Sequence, residues 1–289
     1  MSNRPIRRIF PVLCGLLFLA STAQAAQAAT LKDHFDKTVP LKGGSQITLR
    51  NVNGSVKVEA WDRGEVRIEA DKEVKAGTDS AARKFMDQVR IDVTPGTSGN
   101  NGLRIETHAP KRGANGIWDA MFGNSINYHV NYTLHVPRQA AVDAESVNGG
   151  VSLAGTHGKV RLETTNGAVD VADVTGDVNA GSTNGGITAT RVAGAVKAET
   201  TNGAVAVDLT ALPAGSDLRF ESTNGGVHVR LPRDARLSVD AETTNGRVKS
   251  DFEVAGGKPG KRSLKGDING GGGRLKIRTT NGGIEILGH

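Results

Sequence analysis

Five glutamates recur at one fixed place in this chain. Glu145, Glu163, Glu199, Glu221 and Glu242 each stand three residues before an asparagine-glycine pair. Carboxylates set across a sugar from one another are the equipment of glycoside hydrolysis, one as acid and the other as base or nucleophile. A polysaccharide-active β-helix enzyme is therefore one reading, with Glu199, Glu221 and Glu242 as its column. Repetition argues against it, since an active site is singular and an architectural position recurs. Asp170, Asp173 and Asp177 lie close together and could offer oxygen ligands to Ca²⁺, although chance clustering of solubilising acids accounts for them better. The seven histidines, His34, His108, His129, His135, His157, His228 and His289, are scattered, and no acid pattern joins His129 to His135. The serine-hydrolase elbow, the zincin motif, the phosphate-binding loop and the dinucleotide fingerprint are all absent. No catalytic residue, metal or cofactor is expected.

The elements that carry these residues are repeats. The pair Asn-Gly begins at Asn148, Asn166, Asn184, Asn202, Asn224, Asn245, Asn269 and Asn281, with an earlier copy at Asn53, and the first four of the main series are 18 residues apart. Positions six and four before each Asn are apolar, as in Val160/Leu162 and Val196/Ala198. So are positions three and five after it, as in Val169/Val171, Ile187/Ala189 and Val205/Val207. That alternation predicts two short strands per repeat, each with one buried face. The expectation is an all-β chain, a β-solenoid (parallel β-helix-like) of roughly 18–24-residue coils that share one core. Asn148, Asn166, Asn184, Asn202, Asn224, Asn245 and Asn281 are its structural corner residues. Asn and Gly suit a corner because both visit positive φ readily, and the amides could bond along the stack. A meander of Asn-Gly hairpins would not need so strict a register. The Asn269 copy lacks the apolar pattern, so Gly256 to Gly273 reads as a loop or irregular coil.

Outward positions form columns: the glutamates at one, and Arg161, Lys197, Arg219 and Lys276 beside them. A solvated, self-compensating face is the expected reading. The pairs Thr164-Thr165, Thr200-Thr201 and Thr243-Thr244 could supply an ice- or surface-binding array. Gly181, Ser182 and Ser222 interrupt such a lattice, and the pairs read as residues that help the chain turn.

Residues 29–137 read as a β-rich region continuous with the repeats at 138–289. Longer alternating strands are predicted over 65–70, 88–93, 103–106 and 126–136, a short helix over 79–86, and a cap for the stack that leaves no bare edge. Lys111 to Asn127 interrupts the strands. Its Trp118, Met121 and Phe122 either fold back over the core or form a contact for a partner or a membrane surface.

Residues 1–28 have the form of a secretory signal peptide: Arg4, Arg7 and Arg8, an apolar run from Ile9 to Ala20, then small-residue cleavage sites around Ala23 to Ala28. Cys14, the single cysteine, lies inside it, so a cleaved chain would enter an oxidising compartment without disulfides. The formal charge of +6 falls to +3 once those three arginines are removed. With few aromatics and no recognition motif, nucleic acid is not an expected partner.

The strand pairs Val160-Arg161-Leu162-Glu163-Thr164-Thr165-Asn166-Gly167-Ala168-Val169-Asp170-Val171 and Val196 to Val207, with Leu134-His135-Val136-Pro137 before them, resemble the bacterial DUF4097 "putative adhesin" family. The resemblance covers roughly the whole mature chain. It implies envelope or membrane-associated proteins without an established activity, and brings no binding residues with it. The functional expectation is a secreted or periplasmic, non-enzymatic binding or scaffolding module, adhesin-like or related to envelope stress, whose partner is an envelope protein or a glycan.

Overall fold

The computed structural model describes residues 29–42, 44–96, 102–110, 126–257 and 260–289. The first part of the chain forms β1 (Ala29–Pro40), β2 (Gln46–Arg50), β3 (Val56–Trp61), β4 (Glu65–Ala76), α1 (Asp79–Met86), β5 (Arg90–Pro95), β6 (Leu103–His108) and β7 (Asn127–Pro137). The repeats form β8 (Ala141–Asn148), β9 (Val151–Ala154), β10 (Val160–Asn166), β11 (Val169–Thr175), β12 (Val178–Asn184), β13 (Ile187–Ala193), β14 (Val196–Asn202) and β15 (Val205–Ala211). Then come β16 (Asp217–Asn224), β17 (Val227–Leu231), β18 (Leu237–Asn245), β19 (Val248–Ser250), β20 (Ser263–Ile268), β21 (Gly273–Asn281) and β22 (Ile284–Gly288).

These strands make two stacked sheets of eleven. Sheet one runs β1-β4-β7-β3-β9-β11-β13-β15-β17-β22-β19, and sheet two runs β20-β18-β21-β16-β14-β12-β10-β8-β2-β6-β5. The β-solenoid expected from the spacing is thereby corrected. Sheet one has an antiparallel end, β1 on β4 and β4 on β7, and sheet two has antiparallel strands at both ends, β5 on β6 and β20 on β18. The last pair, β21 and β22, enters between strands made earlier in the chain, β16 and β18 on one side, β17 and β19 on the other. A continuously wound coil admits neither feature. An 18-residue period requires only that equivalent residues lie side by side, and two facing sheets meet that requirement too.

The core is the layer between the sheets. Val160 and Leu162 of sheet two and Val169, Val171 and Val174 of sheet one are buried, as are their register neighbours Val178, Ile187, Val196 and Val205. Small aliphatic side chains suffice because face-to-face sheets stand only about 10 Å apart. Strands β2 and β3 join this core directly, β2 beside β8 and β3 beside β9. Helix α1 packs Ala81, Ala82, Phe85 and Met86 against β1 and β4, with Thr78 accepting the Ala81 N–H as its N-cap. The segment from Gly256 to Gly273 contains a regular strand, β20, whose Leu264 and Ile268 are buried. The sequence hides it because it is an edge strand whose one strand neighbour, β18, runs antiparallel to it, so the repeat pattern does not apply.

The corners differ from expectation as well. Among the described residues, the non-glycine positions with positive φ are Asp173, Arg191 and Asn269, not the seven asparagines expected at the corners. Gly167, Gly185, Gly203 and Gly225 are needed for closeness instead: a Cβ on any of them would collide with the backbone carbonyl of the corner glycine one strand away. At the opposite corners, Asp173 (φ 55°) and Arg191 (φ 53°) stack, and Arg191 Nε and Nη2 each bond the Asp173 carboxylate at 2.6 Å.

Candidate functional site

Strand β10 shows how the repeat builds an outer face. Val160, Leu162 and Thr164 are buried, while Arg161, Glu163 and Thr165 face outward. Parallel registers carry this pattern along sheet two, so Glu145, Glu163, Gly181, Glu199, Glu221, Arg278 and Glu242 are successive neighbours. The residues just before each Asn form a second outward row: Thr165, Thr183, Thr201, Thr223, Thr280 and Thr244. An open groove of about 830 Å³ runs along the stack, lined by these glutamate and threonine rows.

The hydroxyls that seemed to break a threonine lattice belong to a different row. Ser146, Thr164, Ser182, Thr200, Ser222, Thr279 and Thr243 point inward and are buried. Each donates to a corner-glycine carbonyl on the neighbouring strand at 2.8–3.0 Å, as Thr164 does to Gly149 and Ser182 to Gly167. Buried carbonyls at the tight corner are thus satisfied. The outward row is threonine without interruption, which the sequence concealed because only one member of each Thr-Thr pair faces out.

The asparagines follow the threonine row at the corner, beyond the groove's lining. Asn148, Asn166, Asn184, Asn202, Asn224, Asn281 and Asn245 each donate Nδ2–H to the Oδ1 of the preceding amide in the stack, starting from Asn53, at 2.8–2.9 Å. The order is spatial, so Asn281 comes before Asn245. Every amide inside the ladder keeps one N–H and one carbonyl lone pair for solvent or a ligand. Asn269 lies elsewhere and donates to the Arg233 and Ala235 carbonyls.

The glutamates are all ion-paired. Arg50 reaches Glu145 at 2.9 Å, Arg161 reaches Glu163 at 2.7 Å, and Arg219 bridges Glu199 and Glu221 at 3.0 Å each. Arg278 approaches Glu242 at 3.8 Å. The Glu221 and Glu199 carboxylates hold the Arg219 guanidinium above its ordinary pKa. Such pairing makes a self-compensating face.

The other candidates separate. Asp173 is tied to Arg191, and its carboxyl is held below the usual range by that hydrogen bond. Asp177 accepts the Ala195 N–H at 3.3 Å, and Asp170 is exposed on the outer face of β11. His135 lies between Glu59 (3.8 Å) and Glu69 (3.5 Å) and stacks on Trp61 at 5.3 Å. Strand pairing of β3, β4 and β7 makes this cluster, and no sequence spacing could reveal it. Arg63 lies over the Trp61 ring at 4.7 Å. Among the described residues, His34, Asp36 and Glu69 are the group close enough to share a cation. Arg67 already bonds both carboxylates, at 2.7 Å and 3.0 Å, and His34 bonds Asp71 at 2.8 Å, which raises its pKa. Trp118, Met121 and Phe122 lie outside the described residues, as does the segment 1–28. No helix among the described residues is long and apolar enough to cross a membrane.

The family profile Toastrack DUF4097 matches residues 38–287. The chain belongs to this family. Its toastrack architecture is the two-sheet stack seen here, which replaces the parallel β-helix read from the repeat. Among solved structures, the chain is similar to a "putative cell adhesion protein" from Clostridium sporogenes ATCC 15579, with 14% identity, 89% of this chain and 100% of that chain covered, and a TM-score of 0.32. It is also similar to a "putative adhesin" from Bacteroides fragilis NCTC 9343, at 12% identity, 88% and 97% coverage and a TM-score of 0.33. A third, a "putative lipid binding protein" from Parabacteroides distasonis ATCC 8503, has 10% identity, 88% and 97% coverage and a TM-score of 0.34. The comparison with curated proteins found no match.

Proposed function

We propose that this member of the toastrack family is a non-enzymatic binding or scaffolding module of the cell envelope, exported by the segment 1–28 and working through the outer face of sheet two. One observation carries the reading: the outer face of sheet two holds a groove repeated strand after strand, in which each glutamate already has a cationic partner. Repetition suits an extended contact, whereas chemistry needs one distinctive place. The basic n-region and small-residue cleavage sites support export.

The test is direct. Purified protein incubated with cell-wall polymers should release no soluble fragments, and Glu221→Gln should behave as wild type. Fragment release that Glu221→Gln abolishes would replace this reading with a polysaccharide-active enzyme.

A further inference from the structure

The groove offers two parallel outward rows at a single repeat, the strand spacing of about 4.8 Å. They are carboxylates and threonines, and the asparagine ladder follows at the corner beyond the lining. Each threonine presents a methyl as well as a hydroxyl. Val52 and Val147, the exposed large hydrophobic side chains among the described residues, occupy the same position before Asn53 and Asn148 and extend the row with methyls alone. No aromatic side chain is among the groove's described lining residues. The large anchors on which protein interfaces concentrate their affinity are therefore missing.

Gly181 supplies an independent sign. It opens a dent in the middle of the carboxylate row, and the fold does not require glycine there. Its backbone is not left-handed, and a Cβ would meet only the flexible Glu163 side chain, at 3.5 Å from Cγ. The corner glycines, by contrast, have a carbonyl in the way.

Building on the binding-module reading above, we infer that the groove holds one extended, β-linked polysaccharide of uncharged sugars, laid along the stack with about one ring per strand. A ring with equatorial substituents has an apolar CH face and a rim of hydroxyls. The threonine and valine methyls meet the face, the carboxylates bond the rim, and the dent at Gly181 admits a ring substituent. The advance per ring in such a polymer is close to the strand spacing, so the match persists over several rings. Each glutamate in the lining already has a cationic partner, so the face carries little net charge and offers no excess of cations to uronic acids or phosphates. Each ring binds weakly, and affinity accumulates because linked rings bind at high effective concentration.

Calorimetric titration of the protein with cello- and chito-oligosaccharides of increasing length tests this. Affinity should rise by about tenfold or more from dimer to hexamer and level off when the groove is full. Gly181→Gln and Thr183→Arg should each weaken hexamer binding about tenfold, with melting temperatures near that of wild type, while Thr188→Arg on sheet one should bind normally. Affinity independent of length, equal binding of polygalacturonate, or undiminished binding by Gly181→Gln would overturn the inference. A pull-down from envelope extract with the same variants separates the two levels. A protein held by wild type and lost by Thr183→Arg, with no oligosaccharide bound, removes the glycan and leaves the binding module standing. Nothing held and nothing bound removes both.

Discussion

Arg278 holds Asp240 twice: Nη2 lies 2.6 Å from Oδ2, and Nη1 donates to the Asp240 carbonyl at 2.7 Å. The pair joins β21 to β18, and β21 stands between β16 and β18. The late strand thus places a cation between Glu221 and Glu242, where strands in chain order would have set acid against acid.

Arg278→Glu is expected to lower stability by about 1–2 kcal/mol, since it removes a charge-assisted pair that is still partly solvated and adds like-charge neighbours. The hydrogen bond from Arg278, with help from Lys265, holds the Asp240 carboxyl below its ordinary pKa. A depressed pKa gives stability that is present above the unfolded value and lost as pH falls through the folded one. Acid unfolding of wild type against Arg278→Ala checks this: the variant should lose less stability on acidification.

Tyr132 is fully buried, its hydroxyl 2.6 Å from Thr107 Oγ1, which in turn donates to Asn51 Oδ1 at 3.1 Å. This network ties β7 of sheet one to sheet two. Burial pushes the Tyr132 pKa up to about 12. The raised value means that its contribution is complete below the unfolded pKa of about 10 and is lost as pH climbs toward the folded one. Wild type should therefore lose roughly 3 kcal/mol across that alkaline window from this group. Tyr132→Phe should cost about 1 kcal/mol at neutral pH and flatten the alkaline loss, as read by denaturant melts.

Val205 is buried in β15, whereas Ser152 lies on the outward register of β9. Val205→Asp removes roughly 1.5 kcal/mol of burial and adds an unpaired charge that costs several times more. It should abolish the cooperative melt or lower it drastically. Ser152→Asp should change stability by about 0.5 kcal/mol or less. Equal losses would mean that the inward and outward faces are misassigned.

Gly185 and Gly181 make a matched pair. A Cβ on Gly185 would strike the Gly167 carbonyl, while one on Gly181 has room. Gly185→Ala should cost about 2 kcal/mol or more, and Gly181→Ala should be neutral or stabilise by up to about 1 kcal/mol through the entropy of the unfolded chain. Thermal melts of the two variants decide it.

Period-two alternation around each Asn-Gly pair already told which side chains of β10 to β15 face inward, because a strand has only two faces and apolar groups leave water together. Helix α1 was legible from its composition over 79–86, and the longer strands β4, β5, β6 and β7 from their alternation. The self-compensation of the charged columns was legible as well, since neighbouring positions carry opposite signs.

Only the tertiary structure decided which strand lies beside which. Pairing depends on long-range contacts that no local pattern encodes, so the passage of β21 and β22 between earlier strands, the antiparallel ends, and the strand at 263–268 could not be read from spacing. The same pairing sorted each Thr-Thr or Ser-Thr couple into one hydroxyl that closes a corner carbonyl and one that faces the groove. It also brought His135 between Glu59 and Glu69 and showed that corner glycines are needed for close approach of stacked carbonyls, a constraint that exists only once neighbouring strands are in place.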